Sequence, residues 1–161
     1  PTTQLCLELL EEALQSGDKV LDLGCGSGIL AIAALAMGAS RAIGIDIDPK
    51  AADVAFENAA LNGIGPDRLS VYAGDVLSDK KLAAKLGPGQ NRVVLANIVA
   101  DVIIPLSTKA GEFMKKDGVF LTSGIIEGRQ DGVRTALESN GFVIVKHLER
   151  NGWHAFRGER R

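Results

Sequence analysis

Apolar and polar positions along this chain alternate between two periods. Over residues 3–14, Leu5, Leu9, Leu10, Ala13 and Leu14 recur at helical spacing, and Ser16-Gly17 closes the run. Residues 20–23 form a short apolar stretch that runs into Gly24-Cys25-Gly26-Ser27-Gly28. Residues 29–37 are apolar all round and rich in Ala, which predicts a buried helix lying close on a sheet, with Gly38 as its left-handed cap. A second strand is predicted at 42–46. Asp48 as N-cap and Pro49 at the first helical position then open a helix that runs to about Leu61 and stops at Asn62-Gly63. Further strands are predicted at 69–73, 93–98 and 119–124, with a short surface helix at 80–86 and a longer one at 102–115 between them. A helix over 129–139 precedes strands at 142–148 and 153–156. These join at Asn151-Gly152, a strong hairpin signal.

Seven strands with helical crossovers predict an α/β fold: a doubly wound, mostly parallel seven-stranded sheet with a C-terminal antiparallel hairpin. Its ligand site belongs beyond the C-terminal strand ends, where strand order reverses. The 161 residues, 46% hydrophobic, suffice for one domain with a core of its own. A net charge of −2 argues against a duplex-binding module, so no direct nucleic-acid binding is expected. The longest apolar run, residues 29–37, is too short to cross a membrane. Cys6 and Cys25 lack metal-site spacing and read as reduced thiols of a cytoplasmic protein. His147 and His154 read as strand residues rather than ligands. The chain starts at Pro1 rather than Met, which points to a longer protein.

The chemistry concentrates after the first strand, in Asp22-Leu23-Gly24-Cys25-Gly26-Ser27-Gly28. Glycines let the backbone turn sharply and let a ligand approach the main chain, while the next helix offers its N-terminal amides. Asp46, at the end of the second strand, is placed to accept from both hydroxyls of an adenosyl ribose. Two cofactor classes use this arrangement. Nicotinamide dinucleotides require G-x-G-x-x-G, whose third glycine position is Ile29 here. S-adenosylmethionine carries a carboxylate and an ammonium instead of a pyrophosphate, and Asp22 can accept from the ammonium. That asymmetry favours S-adenosylmethionine. A nicotinamide-dependent oxidoreductase and a non-catalytic nucleotide-binding module are the alternatives.

The pattern resembles the seven-stranded S-adenosylmethionine-dependent methyltransferases, whose fold is Rossmann-like. The resemblance implies that Gly24, Gly26 and Gly28 hold the methionine end and Asp46 the ribose. It also implies that Ile47 packs on the adenine and that Asp75, in Ala73-Gly74-Asp75, sits by the adenine amino group. Family members that methylate planar amines commonly carry Asn/Asp-Pro-Pro-Tyr/Phe after the fourth strand. This chain has Asn97-Ile98-Val99-Ala100, which keeps the amine acceptor and loses the flat clamp, so a flexible aliphatic amine fits better.

More narrowly, the chain is similar to the ribosomal protein L-eleven methyltransferase (PrmA-type) family. The segments that carry the likeness are Pro1-Thr2-Thr3, the glycine turn with Ile29-Leu30-Ala31-Ile32-Ala33-Ala34, Gly44-Ile45-Asp46-Ile47-Asp48-Pro49, Ala96-Asn97-Ile98-Val99-Ala100 and Ser123-Gly124-Ile125. The resemblance implies cofactor contacts at Thr3, Gly24, Asp46 and Asn97, with Asn97 as the catalytic residue. It implies N-methylation of lysine or N-terminal amines of a ribosomal protein. Residues 1–161 then form the catalytic domain, and the family's small N-terminal substrate-recognition domain is absent from this chain.

Overall fold

The computed structural model describes residues 2–161; Pro1, the first residue of the matched Pro-Thr-Thr segment, lies outside them. Its strands are β1 (Lys19–Leu23), β2 (Arg41–Asp46), β3 (Leu69–Ala73), β4 (Asn91–Asn97), β5 (Met114–Ile126), β6 (Phe142–Arg150) and β7 (Trp153–Arg160). They form one sheet in the order β3-β2-β1-β4-β5-β7-β6. The pairings from β3 across to β5 are parallel, and β7 runs antiparallel between β5 and β6. The predicted hairpin is therefore present, and its second strand inserts into the sheet. Strand order reverses between β1 and β4, which places the crevice at Gly24 and Asn97.

Among the described residues, six helices cover the two faces: α1 (Thr2–Ala13), α2 (Ile29–Ala36), α3 (Ala51–Leu61), α4 (Lys80–Ala84), α5 (Ala100–Ala110) and α6 (Gln130–Ser139). Successive strand residues point to opposite faces, so Val20 joins one core and Leu21 and Leu23 the other. The first core packs α1, α2 and part of α3 on Val93, Leu95, Val119 and Leu121. The second packs α4, α5 and α6 around Phe113, Phe120, Phe142 and Phe156. In α1, Leu5, Leu9 and Leu10 are fully buried, each contributing about 1.5–3 kcal/mol relative to exposure. No helix among the described residues is long and apolar enough to cross a membrane. Cys6 and Cys25 are free and buried.

The structure redraws several boundaries. The helix predicted at 102–115 begins at Ala100 and ends at Ala110. A 3-10 turn, Gly111–Phe113, follows it, and β5 then starts at Met114, because Met114 pairs with Asn91 across β4. Long-range pairing overrides local helix preference there. Asp48 does accept a hydrogen bond from the Lys50 amide at 2.9 Å, but the first turn closes tightly, with Ala51 N–H donating to Asp48 O. The α-helix thus opens only at Ala51. Both arms of the terminal hairpin are longer than predicted, reaching Arg150 and Arg160.

Asn91, which sequence patterning did not single out, ties the α4–β4 loop to the sheet. Its buried Nδ2 donates to the carbonyls of Leu86 (2.8 Å), Gly87 (3.2 Å) and Phe113 (3.0 Å). Asn91→Ala should cost about 1–3 kcal/mol in urea unfolding, since it strands buried acceptors. Asn62→Ala, at an exposed helix end, should cost clearly less. Equal losses in the two variants would show that these three bonds add no net stability.

Candidate active site

The turn from β1 into α2 is held by its own backbone. Gly24 N–H and Cys25 N–H both donate to Ile45 O (2.8 and 2.9 Å), and Gly28 N–H donates to Cys25 O (2.8 Å). Gly26 N–H donates to Asp46 Oδ2 at 2.8 Å, and Asp46 Oδ1 accepts from Asp48 N–H at 3.0 Å. Four amides of the turn are thus engaged within the protein. The Ser27 amide has no partner within the protein, and Ser27 and Ile29 are exposed at the open face, while Leu30 and Ala31 are buried. Gly26 has φ +52°, and a Cβ there would meet nothing within 4 Å, so the backbone is bare toward the crevice. Gly24 faces the reverse limit: a Cβ would lie 2.8 Å from Ile98 Cγ2.

Beside the turn lies a cleft of about 210 Å³, bordered by Gly24, Asp46, Ile47, Asp75, Val76 and Ile98. Ile47 is 73% exposed at its mouth; it is not a core residue and presents an uncovered apolar face. Asp75 Oδ1 accepts from Leu77 N–H at 3.0 Å, which leaves its other oxygen for a ligand. The N-cap of α4 is Asp79, whose side chain accepts from Leu82 N–H. A carboxylate has about four acceptor positions, so Asp46 also retains capacity for two hydroxyls.

Asp22 sits behind the turn, 1% exposed, and neither of its carboxylate oxygens has a hydrogen-bond partner. Burial pushes its pKa up to about 7, and the Asp46 carboxylate adds to the rise. The Ala31 amide pulls the other way without reaching hydrogen-bond geometry. Burial is also the main cause that holds the Cys25 thiol up at about 12 and raises Cys6 as well, so neither is a thiolate at neutral pH.

Thr3 and Asn97, far apart in sequence, meet where the start of α1 lies by the end of β4: Asn97 Nδ2 donates to Thr3 Oγ1 at 3.4 Å. Asn97 Oδ1 is buried and has no partner. Ser123 Oγ donates to Thr2 O at 2.8 Å and fixes the start of α1 over the strand ends. Gly124, in the Ser123-Gly124-Ile125 segment, borders the same strand ends. Its φ is +83°, and a Cβ there would lie 2.8 Å from Ile98 O and 3.2 Å from Asn97 Oδ1. Glycine keeps the approach to both acceptors open. A lone Gly inside an apolar strand was the available signal.

The structure therefore brings Gly24, Asp46, Ile47 and Asp75 to one cleft, with Gly26 and Gly28 in the turn beside it. Asp22 lies behind that turn, and Thr3 and Asn97 pair at the neighbouring strand end. His154 is buried elsewhere, on the α6 side. One ring nitrogen lies 2.7 Å from His147 Nε2 and the other 2.9 Å from Glu127 Oε1, a linkage the sequence did not reveal. No metal-ligating cluster occurs among the described residues.

The family model described as "Ribosomal protein L11 methyltransferase (PrmA)" matches residues 1–161. A Pseudomonas aeruginosa ribosomal protein L11 methyltransferase is 42% identical over 161 residues, covering 100% of this chain and 51% of its own length. One from Lachnospira eligens is 40% identical over 151 residues, covering 94% of this chain and 48% of its own. The chain thus spans about half the length of these curated relatives. A ribosomal protein L11 methylase structure from Lactobacillus delbrueckii subsp. bulgaricus superposes with TM-score 0.89 at 32% identity, covering 99% of this chain and 79% of that one. An RNA methyltransferase from Salinibacter ruber, solved with S-adenosyl-L-homocysteine, shares the fold at TM-score 0.73 and 21% identity over 99% of this chain and 93% of that one. On the family match along its whole length, the chain belongs to the ribosomal protein L11 methyltransferase (PrmA) family.

Proposed function

We propose that these 161 residues are the cofactor-binding and methyl-transfer domain of an S-adenosylmethionine-dependent protein methyltransferase acting on amine nitrogens of a ribosomal protein. Recognition of the protein substrate is assigned to sequence that the relatives carry outside the matched half. Family membership supports the activity. The observation that carries the cofactor assignment is the buried, partnerless Asp22 carboxylate behind a turn in which four amides are already bonded. A pyrophosphate would meet negative charge and few free donors there, whereas a ligand with an ammonium finds an acceptor. The exposed start of α2 at Ile29, where a dinucleotide site places its third glycine, argues the same way.

The residues present fit the donor. Asp46 accepts from the ribose hydroxyls, Ile47 packs on the adenine and Asp75 accepts from its amino group. The glycine turn and Asp22 hold the methionine end, and Thr3 stands against Asn97. When bound, S-adenosylmethionine supplies a methyl group activated by its sulfonium: a nitrogen–carbon bond forms as the carbon–sulfur bond breaks, and S-adenosylhomocysteine leaves.

The work of this chain is orientation. A free lysine has a pKa near ~10.4 and is protonated at neutral pH. Burial of the substrate amine at this strand end lowers that value. Asn97 Oδ1 and Ile98 O accept the protons of the neutral amine and leave its lone pair free to attack. Positioning of this kind supplies large effective molarities without a general base, and solvent takes the released proton. The lack of an aromatic clamp after Asn97 fits a flexible aliphatic amine.

Calorimetry with S-adenosylhomocysteine tests the ribose acceptor. Asp46→Ala should weaken binding by about 1–3 kcal/mol, and retained affinity in a folded variant would remove Asp46 from the site. Tight binding of a nicotinamide dinucleotide with no response to S-adenosylhomocysteine would overturn the methyltransferase reading.

Asp22 gives a pH signature. An ammonium favours the ionised carboxylate, so binding should expel a proton wherever Asp22 is still neutral. Affinity for S-adenosylhomocysteine should rise with pH up to about 7 and then level off. Asp22→Asn should flatten that rise. For the unliganded protein the sign is opposite. The folded carboxyl has the raised pKa, so stability falls as pH climbs from the ordinary carboxylate value toward about 7, and Asp22→Asn should relieve that loss. Identical pH profiles in the two proteins would show that Asp22 touches neither equilibrium.

A further inference from the structure

The opposite end of the sheet carries a second cavity, about 290 Å³, bordered by Lys19, Arg41, Ser70, Tyr72, Lys85 and Gln90. Strand register builds it. Lys19 at the start of β1 pairs directly with Arg41 at the start of β2, and Arg41 Nη2 reaches Ser70 Oγ on β3 at 2.9 Å. Lys85, just past α4, closes the far side, with its Nζ 5.7 Å from the centre of the Tyr72 ring. Like charges side by side on one sheet face repel, and a fold selected only for stability would separate or neutralise them. Here they stay unneutralised: among the described residues, no carboxylate lies within salt-bridge distance of Lys19, Arg41 or Lys85. Lys19 Nζ makes only a long 3.4 Å bond to Gln90 Oε1. No acidic residue lines the cavity, in a chain whose net charge is negative.

We propose that this cavity is a second binding site, separate from the methyl-donor cleft, for an anion bearing two or more phosphate groups. An ammonium has three donors and a guanidinium five, and most of them at Lys19, Arg41 and Lys85 are unspent. Arg41 offers the planar fork that matches phosphate oxygens, while the lysines act as point charges on either side. Three cations around one cavity match the charge of a diphosphate better than that of a single carboxylate. Ser70 and Gln90 add neutral polar groups, and the Tyr72 ring lies under the Lys85 ammonium. The phosphates come either from a small diphosphate, free or nucleoside-borne, or from an RNA backbone.

The probe is inorganic pyrophosphate, titrated by calorimetry into the native chain and into a Lys19→Gln/Arg41→Gln/Lys85→Gln variant. Saturable binding is expected in the native protein, weakening as salt is raised from about 50 to 200 mM. The variant should bind at least ~10-fold more weakly, as loss of charge-assisted hydrogen bonds implies, with S-adenosylhomocysteine affinity unchanged. If the triple variant does not fold, Lys85→Gln alone, at an exposed position, should still weaken binding measurably. No saturable binding to the native chain, or equal binding to a folded variant, overturns the proposal. Competition distinguishes the sources: displacement of pyrophosphate by a single-stranded RNA oligonucleotide alone points to a backbone, and by a nucleoside diphosphate alone to a small ligand. Failure of both to compete leaves free pyrophosphate as the ligand class.

Discussion

The carboxylate of Asp46 ties together the two loops that form the open end of the sheet. One oxygen takes the Gly26 amide from the β1–α2 turn, and the other takes the Asp48 amide from its own loop. The Gly26 corner of the turn, the exposed Ile47 and the entry to α3 are therefore linked through one side chain, alongside the backbone bonds from Gly24 and Cys25 to Ile45 O. A charged acceptor makes stronger bonds to amides than a neutral one, so this tie is among the firmer contacts at the crevice. It also limits what the crevice can hold. With the Gly24, Cys25, Gly26 and Gly28 amides bonded within the protein, the turn offers the crevice one bare glycine and the Ser27 amide, fewer donors than a pyrophosphate needs.

Two polar groups near that turn lack partners, the Asp22 carboxylate and Asn97 Oδ1. Buried acceptors without donors are costly, and proteins keep few of them. Both sit at the strand ends where chain order reverses, and a Cβ at Gly124 would lie 3.2 Å from Asn97 Oδ1. Their cost makes sense if a ligand supplies the missing donors: an ammonium for the acid, an amine or the methyl donor for the amide. Unmet hydrogen-bond demand at both positions thus links the fold to the chemistry proposed for it.

Charge is distributed along the strands as well. Asp22, Asp46, Asp48 and Asp75 crowd the C-terminal strand ends, while Lys19 and Arg41 open β1 and β2 at the other end. Parallel strands make this segregation simple, because every strand start lies at one end and every strand finish at the other. A net charge of −2 gives no hint of it.

Local signals along the chain specify the alternation of strands and helices, the glycine turn, the acid after the second strand and the terminal hairpin. Each is a local signal: a period, a capping residue or a short motif whose backbone geometry depends on near neighbours. The end of α5 and the start of β5 were decided by tertiary structure, since Met114 joins the sheet only because Asn91 lies beside it. So were the burial of Asp22 without a partner, the meeting of Thr3 with Asn97, the clearance that Gly124 gives to Ile98 O, and the His154 linkage. These depend on which strands become neighbours and in what register. No window of sequence contains that information, because the contacts join residues whose separation along the chain is unrelated to their distance in the sheet.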